Sequence, residues 1–228
     1  MPSRRTLVAA AGYTAMATAD TILAGKTSKA ARRARFVLKP LLMPTLSVAF
    51  SEATRGRTDT LTRSTQAAQA LSWGGDVALL GSGDKAFLTG VGSFAGAHAA
   101  YITGFASRRD RGRVSEHPGL KAAAAMWATT APVMGLAAAL KSRDLGLPVA
   151  GYATILATMF GASTLLDPSI SANARRTLQV GTGLFLLSDS LLGVQEFLLR
   201  SHSPALESAV MATYTAGQGL IAAGVAQA

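Results

Sequence analysis

Cysteine is absent from the 228 residues, and acidic residues number 12 against 22 lysines and arginines. Without cysteine there is no disulfide and no thiolate metal site, and the redox compartment leaves no trace in the sequence. Histidine is scarce too. Of the three, His98 alone lies inside an apolar stretch, His117 and His202 fall in loops, and no H-x-x-x-H or H-E-x-x-H spacing occurs. A zinc site therefore lacks its usual ligands, and no metal or other cofactor is expected. A G-x-S-x-G nucleophile elbow is missing, and "GSGDK" is a tight polar turn, not a phosphate-binding loop. Charge itself is thin: 15% of residues carry one, where a soluble domain usually has about 25%.

The charges that exist are gathered in short blocks, "RRARFVLK", "RGRTD", "SRRDRGR", "KSRD" and "NARR". Between them run apolar stretches of roughly 20 residues, the length that crosses a hydrocarbon core. With 49% hydrophobic residues and a mean hydropathy of +0.30, the pattern predicts an all-α, polytopic transmembrane helix bundle. It forms a single integral membrane domain of about eight helices. The expected spans are 6–25, 35–50, 64–81, 85–106, 119–140, 147–166, 177–199 and 204–226, the third being short and interrupted by Gln66 and Gln69. Abundant glycine and alanine permit close helix contact. Pro40, Pro44, Pro132 and Pro148 lie within or at the starts of spans, where kinks require neighbours to satisfy the freed backbone.

A net charge of +10 can signal nucleic acid, but these basic residues sit in loops between apolar spans, a placement that suits lipid headgroups. The lipid bilayer is the expected partner and nucleic acid is not; the oligomeric state cannot be read. The N-terminus has the positive flank and small residues of a signal peptide, yet its apolar run continues through "TILAG", which predicts a retained first helix. Loop arginines and lysines number eleven on the N-terminal side, Arg111 and Arg113 among them, and nine on the other. That bias predicts a protein of the plasma (inner) membrane with both termini in the cytoplasm.

An ionisable residue deep in a span costs about 2.5–3.5 kcal/mol on insertion scales, so each needs a reason. Asp76 in "SWGGDVALLG" lies thirteen residues after Arg63, and Asp189 in "LLSDSLLG" thirteen after Arg176. Their spans run in the same direction, so both aspartates should lie roughly 20 Å from one membrane face. His98, on an antiparallel span, falls in the same layer by this count. It shares a stripe with Gly90, Phe94, Tyr101 and Phe105. Two carboxylates at one depth suit acid–base work with split protonation; the plainer reading is hydrogen-bonded glue between helices. Lys39 precedes Pro40 and is placed to snorkel or to meet a phosphate or carboxylate. Glu196 follows Asp189 on the same face but near the span's end. Tyr214 and Gln218 are four residues apart on one face of the last span. Asp20, near the end of its span, reads as a cap or surface group.

Six patches occur in order along the chain: "KPLLMPTL", "ALSWGGDVALL", "FLTGVGSFAGAHAAYI", "LPVAGYA", "GTGLFLLSDSLLG" and "YTAGQGLI". In sequence and spacing they resemble the YhhN family of lysoplasmalogenases. The resemblance implies cleavage of the vinyl-ether bond of a lysophospholipid, giving a fatty aldehyde and a glycerophospho-alcohol. It also implies that the family's shared aspartates are Asp76 and Asp189, and its histidine and tyrosine His98 and Tyr101. Lys39, Tyr152, Tyr214 and Gln218 match as well, with no role attached. A vinyl ether yields to a proton on its β-carbon, so two aspartates sharing one proton would suffice, with Ser188 and Ser190 as candidate supporting donors. Two rival readings remain: a proton-coupled transporter, and a hydrolase of another lyso-lipid ester or amide using Ser188 or Ser190 as nucleophile.

Overall fold

A computed structural model describes residues 3–110, 112, 117–201 and 203–228. Arg111, Arg113 and His202 of the sequence reading lie outside these residues. The described residues form eight helices: α1 (Arg4–Ala24), α2 (Lys29–Ala53), α3 (Thr60–Ala78), α4 (Asp84–Ser107), α5 (Pro118–Lys141), α6 (Arg143–Thr164), α7 (Ala172–Phe197) and α8 (Pro204–Gln227). All but α3 and α4 are long and apolar enough to cross a membrane. Those two carry Gln69, Asp76 and His98, and they turn these groups inward, whereas Gln66 on α3 is exposed. Gln69 is fully buried and accepts a hydrogen bond from Ser47 of α2. These buried side chains, which lower a helix's hydropathy, are thus spent on its neighbours, not exposed to lipid.

Serine caps set several helix starts earlier than apolarity alone suggests. Ser28 and Ser171 accept the amides of Ala31 and Ala174, so α2 begins at Lys29 and α7 at Ala172, and their first turns carry the basic blocks. Proline has a different consequence inside α2. Pro44 has no N–H, so the carbonyl of Pro40, four residues back, loses its helical partner. The indole of Trp73 on α3 donates to that carbonyl at 2.9 Å. This bond ties α3 to α2 at the residue after Lys39 and one turn before Asp76.

Neighbouring helices pair as hairpins: α1 with α2, α3 with α4, α5 with α6 and α7 with α8. In the last pair a Cβ on Gly181 would meet the Ile221 amide at 2.8 Å, and one on Gly217 the Gly181 carbonyl at 2.9 Å. Only glycine lets these backbones approach so closely, and the contact seats α7 against α8, the most buried of the membrane-length helices. At one end of the bundle the loops after α4 and α6 are joined by Asp110 N–H to Leu165 and Asp167 N–H to Arg108. The Arg57 guanidinium, in the loop after α2, donates to the carbonyl of Val225 near the C-terminus. At the opposite end Arg35 binds Asp20 and Glu207, joining α2 to α1 and α8. Asp20 is therefore neither a cap nor a surface group. It is fully buried, because antiparallel packing of α1 on α2 brings Arg35 alongside it.

Candidate active site

Two polar arms meet in the middle of the bundle, each built around one aspartate. In the first, Asp76 of α3 is buried between Lys39 of α2, whose ammonium is 3.7 Å from Oδ1, and Tyr214 of α8, whose hydroxyl donates to Oδ2 at 2.6 Å. In the second, the Tyr152 hydroxyl of α6 bonds Asp189 Oδ2 on α7 and lies 2.9 Å from His98 Nε2 on α4. His98 Nε2 is itself 3.5 Å from Asp189 Oδ2, and its Nδ1 faces the sulfur of Met159 at 3.2 Å. Between the arms stand Phe94, Phe185 and Tyr214, packed edge to face at 5.4–6.2 Å between centroids. The closeness of Phe94 to α3 depends on Gly75, where a Cβ would come within 2.5 Å of the Phe94 ring. Hence the glycine just before Asp76 lets the aromatic wall stand beside the carboxylate.

Asp76 and Asp189 line one polar chamber, together with Lys39, Phe94 and Tyr214. It leads to the bundle end formed by the Gly81–Asp84 turn, Arg35, Lys141, Glu196 and Glu207. Beside it, Lys26 and Arg32 join Arg35 and Lys39 in a basic vestibule that shares Glu207 and Leu79 with the chamber. A second, mostly apolar slot runs between α4, α5, α6 and α7, lined by Val91, Met134, Leu156 and Leu186 among others. Phe87, Phe94, Leu192 and Asp189 belong to both slot and chamber. Asp189 is the carboxylate at the junction: its side chain is 12% exposed against 2% for Asp76. The arrangement can hold a molecule with an anionic end and one apolar chain, with an ionisable oxygen where the two parts join.

Several residues expected at the site sit elsewhere in the network. Tyr101 donates to Gln218 at 2.7 Å, and Gln218 donates to Ser72 at 2.9 Å. This buried bridge braces α4, α8 and α3 without touching either carboxylate. Ser188 and Ser190 do not support Asp189: their hydroxyls donate to the carbonyls of Val210 and Leu186. A serine in a helix has its own turn's carbonyls within reach, and Ser190 takes that bond, whereas Ser188 reaches across to α8. Glu196 pairs with Lys141 at the open end of the chamber. Among the described residues no cluster of three His, Asp or Glu is arranged to hold a metal. Sequence reasoning missed Met159, Ser72 and the Asp20–Arg35–Glu207 bridge. For the last, the one signal available was a buried-depth aspartate facing a basic helix start.

The YhhN family model matches residues 34–225, a stretch that contains every residue of both arms. No curated protein and no solved structure matches the chain.

Proposed function

We propose that this chain, which belongs to the YhhN family, is a membrane hydrolase that cleaves the vinyl-ether bond of lysoplasmalogens by carboxylic-acid catalysis. The observation that carries the reading is the junction at Asp189, where a polar chamber that adjoins the basic vestibule shares one carboxylate with an apolar slot. A single-chain lipid with a phosphate head has that division. Its alkyl chain suits the slot, its phosphate suits Lys39 and the vestibule cations, and its vinyl ether, at the head of the chain, falls beside Asp189.

The chemistry asks for little more. A carboxylic acid gives its proton to the β-carbon, the carbon–carbon π pair forms the new C–H bond, and the ether oxygen shares the positive charge left on the adjacent carbon. A neighbouring carboxylate stabilises that oxocarbenium ion, much as paired carboxylates do around a glycosyl cation. Water adds to the charged carbon and returns its surplus proton to the carboxylate. The hemiacetal then collapses to aldehyde and alcohol. A serine-nucleophile route is disfavoured by the hydroxyls of Ser188 and Ser190, both of which donate to backbone carbonyls. Under the same reading the chain sits in the plasma membrane with both termini in the cytoplasm.

The test is aldehyde release by purified protein from a lysoplasmalogen, beside Asp76→Asn and Asp189→Asn. Each folded variant should lose activity by about 10²-fold or more. Undiminished release from both would remove the two carboxylates from the chemistry.

A further inference from the structure

We infer that Asp189 is the proton donor of the pair, drawing on one proton that it shares with His98 along a hydrogen-bonded chain through Tyr152 whose direction Met159 sets, with Asp76, beside Lys39, as the partner carboxylate. The fate of the proton rests on the vinyl-ether reading, but its location does not.

The direction of the chain is set at its far end. His98 is fully buried, and its Nδ1 lies 3.2 Å from the Met159 sulfur. A thioether has no hydrogen to give and can only accept. The contact is therefore a hydrogen bond when Nδ1 carries hydrogen, and a meeting of lone pairs when it does not. With Nδ1 protonated, two arrangements satisfy the rest. In one, Tyr152 donates to an ionised Asp189 and His98 donates from Nε2, which makes the ring an imidazolium. In the other, Tyr152 donates to a bare Nε2 and Asp189, as a neutral acid, donates to the tyrosine oxygen. Tyr152 has a single hydrogen, so these are the two charge-neutral arrangements in which both of its contacts are hydrogen bonds.

Both arrangements hold one proton on Asp189 and His98 together, and both are neutral overall. They interconvert by moving two hydrogens along the two hydrogen bonds that Tyr152 makes. His98 is fully buried and the Asp189 side chain only 12% exposed, and removal from water favours this neutral sum over a lone carboxylate. Asp76 has the opposite surroundings. The Lys39 ammonium stands beside it as a cation and Tyr214 gives it a hydrogen bond, and neither group takes hydrogen from it. The polar neighbours of Asp76 thus suit a carboxylate, while those of Asp189 suit a shared proton.

In the cleavage, the proton leaves Asp189 for the β-carbon of the substrate, and Asp189 and Asp76 then flank the cation. The water that adds gives up its proton to Asp189, which restores the chain. Tyr152, His98 and Met159 act through Asp189 and are positioning residues.

The test is NMR of the full-length protein in detergent, carrying nitrogen-labelled histidine, with the His98 signals identified as those lost in His98→Asn. The wild type should show Nδ1 protonated at neutral pH. Met159→Leu fills the same space without an acceptor, and should move the ring toward the Nε2–H tautomer. Met159→Leu should also lower aldehyde release by about tenfold, through kcat and not KM. A wild-type ring with bare Nδ1 would overturn the inference, because Tyr152 would then donate to an ionised Asp189 with no proton left on the pair. So would a tautomer unmoved by Met159→Leu. A protonated Nδ1 in a protein that releases no aldehyde would leave the proton shared by Asp189 and His98 standing and remove the vinyl-ether reading instead.

Discussion

The Lys39 ammonium lies 3.7 Å from Asp76 Oδ1, joining α2 to α3 at the wall of the chamber. Removing one partner of such a pair leaves the other buried and uncompensated. Lys39→Met should cut aldehyde release about 10²-fold, the scale seen when one preorganised electrostatic group is lost from an active site. Stability carries a second sign. The double variant Lys39→Met/Asp76→Asn should unfold at a higher temperature in detergent than Lys39→Met alone, since no unpaired charge remains. Equal activity in wild type and Lys39→Met would mean that Asp76 needs no cation beside it.

The Trp73 indole and the Pro40 carbonyl form a bond that exists because Pro44 cannot donate. Trp73→Phe should therefore lower stability by about 1 kcal/mol. In a Pro44→Ala background the new alanine amide takes over the Pro40 carbonyl, and the same tryptophan substitution should cost less. A double-mutant cycle of thermal unfolding measures the difference. Strict additivity would show that the proline and the indole are independent.

Much of this architecture is legible in the sequence, because hydropathy marks where helices can lie and the helical rise turns residue counts into depth. Counting from Arg63 and Arg176 brings Asp76 and Asp189 to one layer, and both line one chamber. The His98 stripe likewise faces the interior. What sequence leaves out is which neighbour a polar group meets. Asp20 looks terminal along α1, yet α2 and α8 close over it with Arg35 and Glu207. Ser188 and Ser190 flank Asp189 in sequence, but successive residues on a helix point about 100° apart and each finds a different carbonyl. Met159 carries no charge or hydroxyl to draw notice, and its part comes solely from where α6 places its sulfur.

The chamber leads to the bundle end that holds the Gly81–Asp84 turn, opposite the end where Arg57 meets Val225. If both termini are cytoplasmic, that opening faces away from the cytoplasm. The cysteine-free chain makes the check clean. In intact cells a membrane-impermeant thiol reagent should label Ser82→Cys, and should label Thr58→Cys only after permeabilisation; both positions are exposed. The reverse pattern would invert the protein and place the opening toward the cytoplasm.

The central claim is that a carboxylic acid of this bundle delivers a proton to the β-carbon of a vinyl ether. Its most direct measurement is cleavage of a lysoplasmalogen by the purified protein in heavy water, with the aldehyde trapped as it forms and weighed by mass spectrometry. One deuterium on the carbon next to the aldehyde carbon, absent when Asp76→Asn or Asp189→Asn replaces the wild type, is the predicted result. Aldehyde without that deuterium, or no aldehyde from folded protein supplied with lipid, would contradict it.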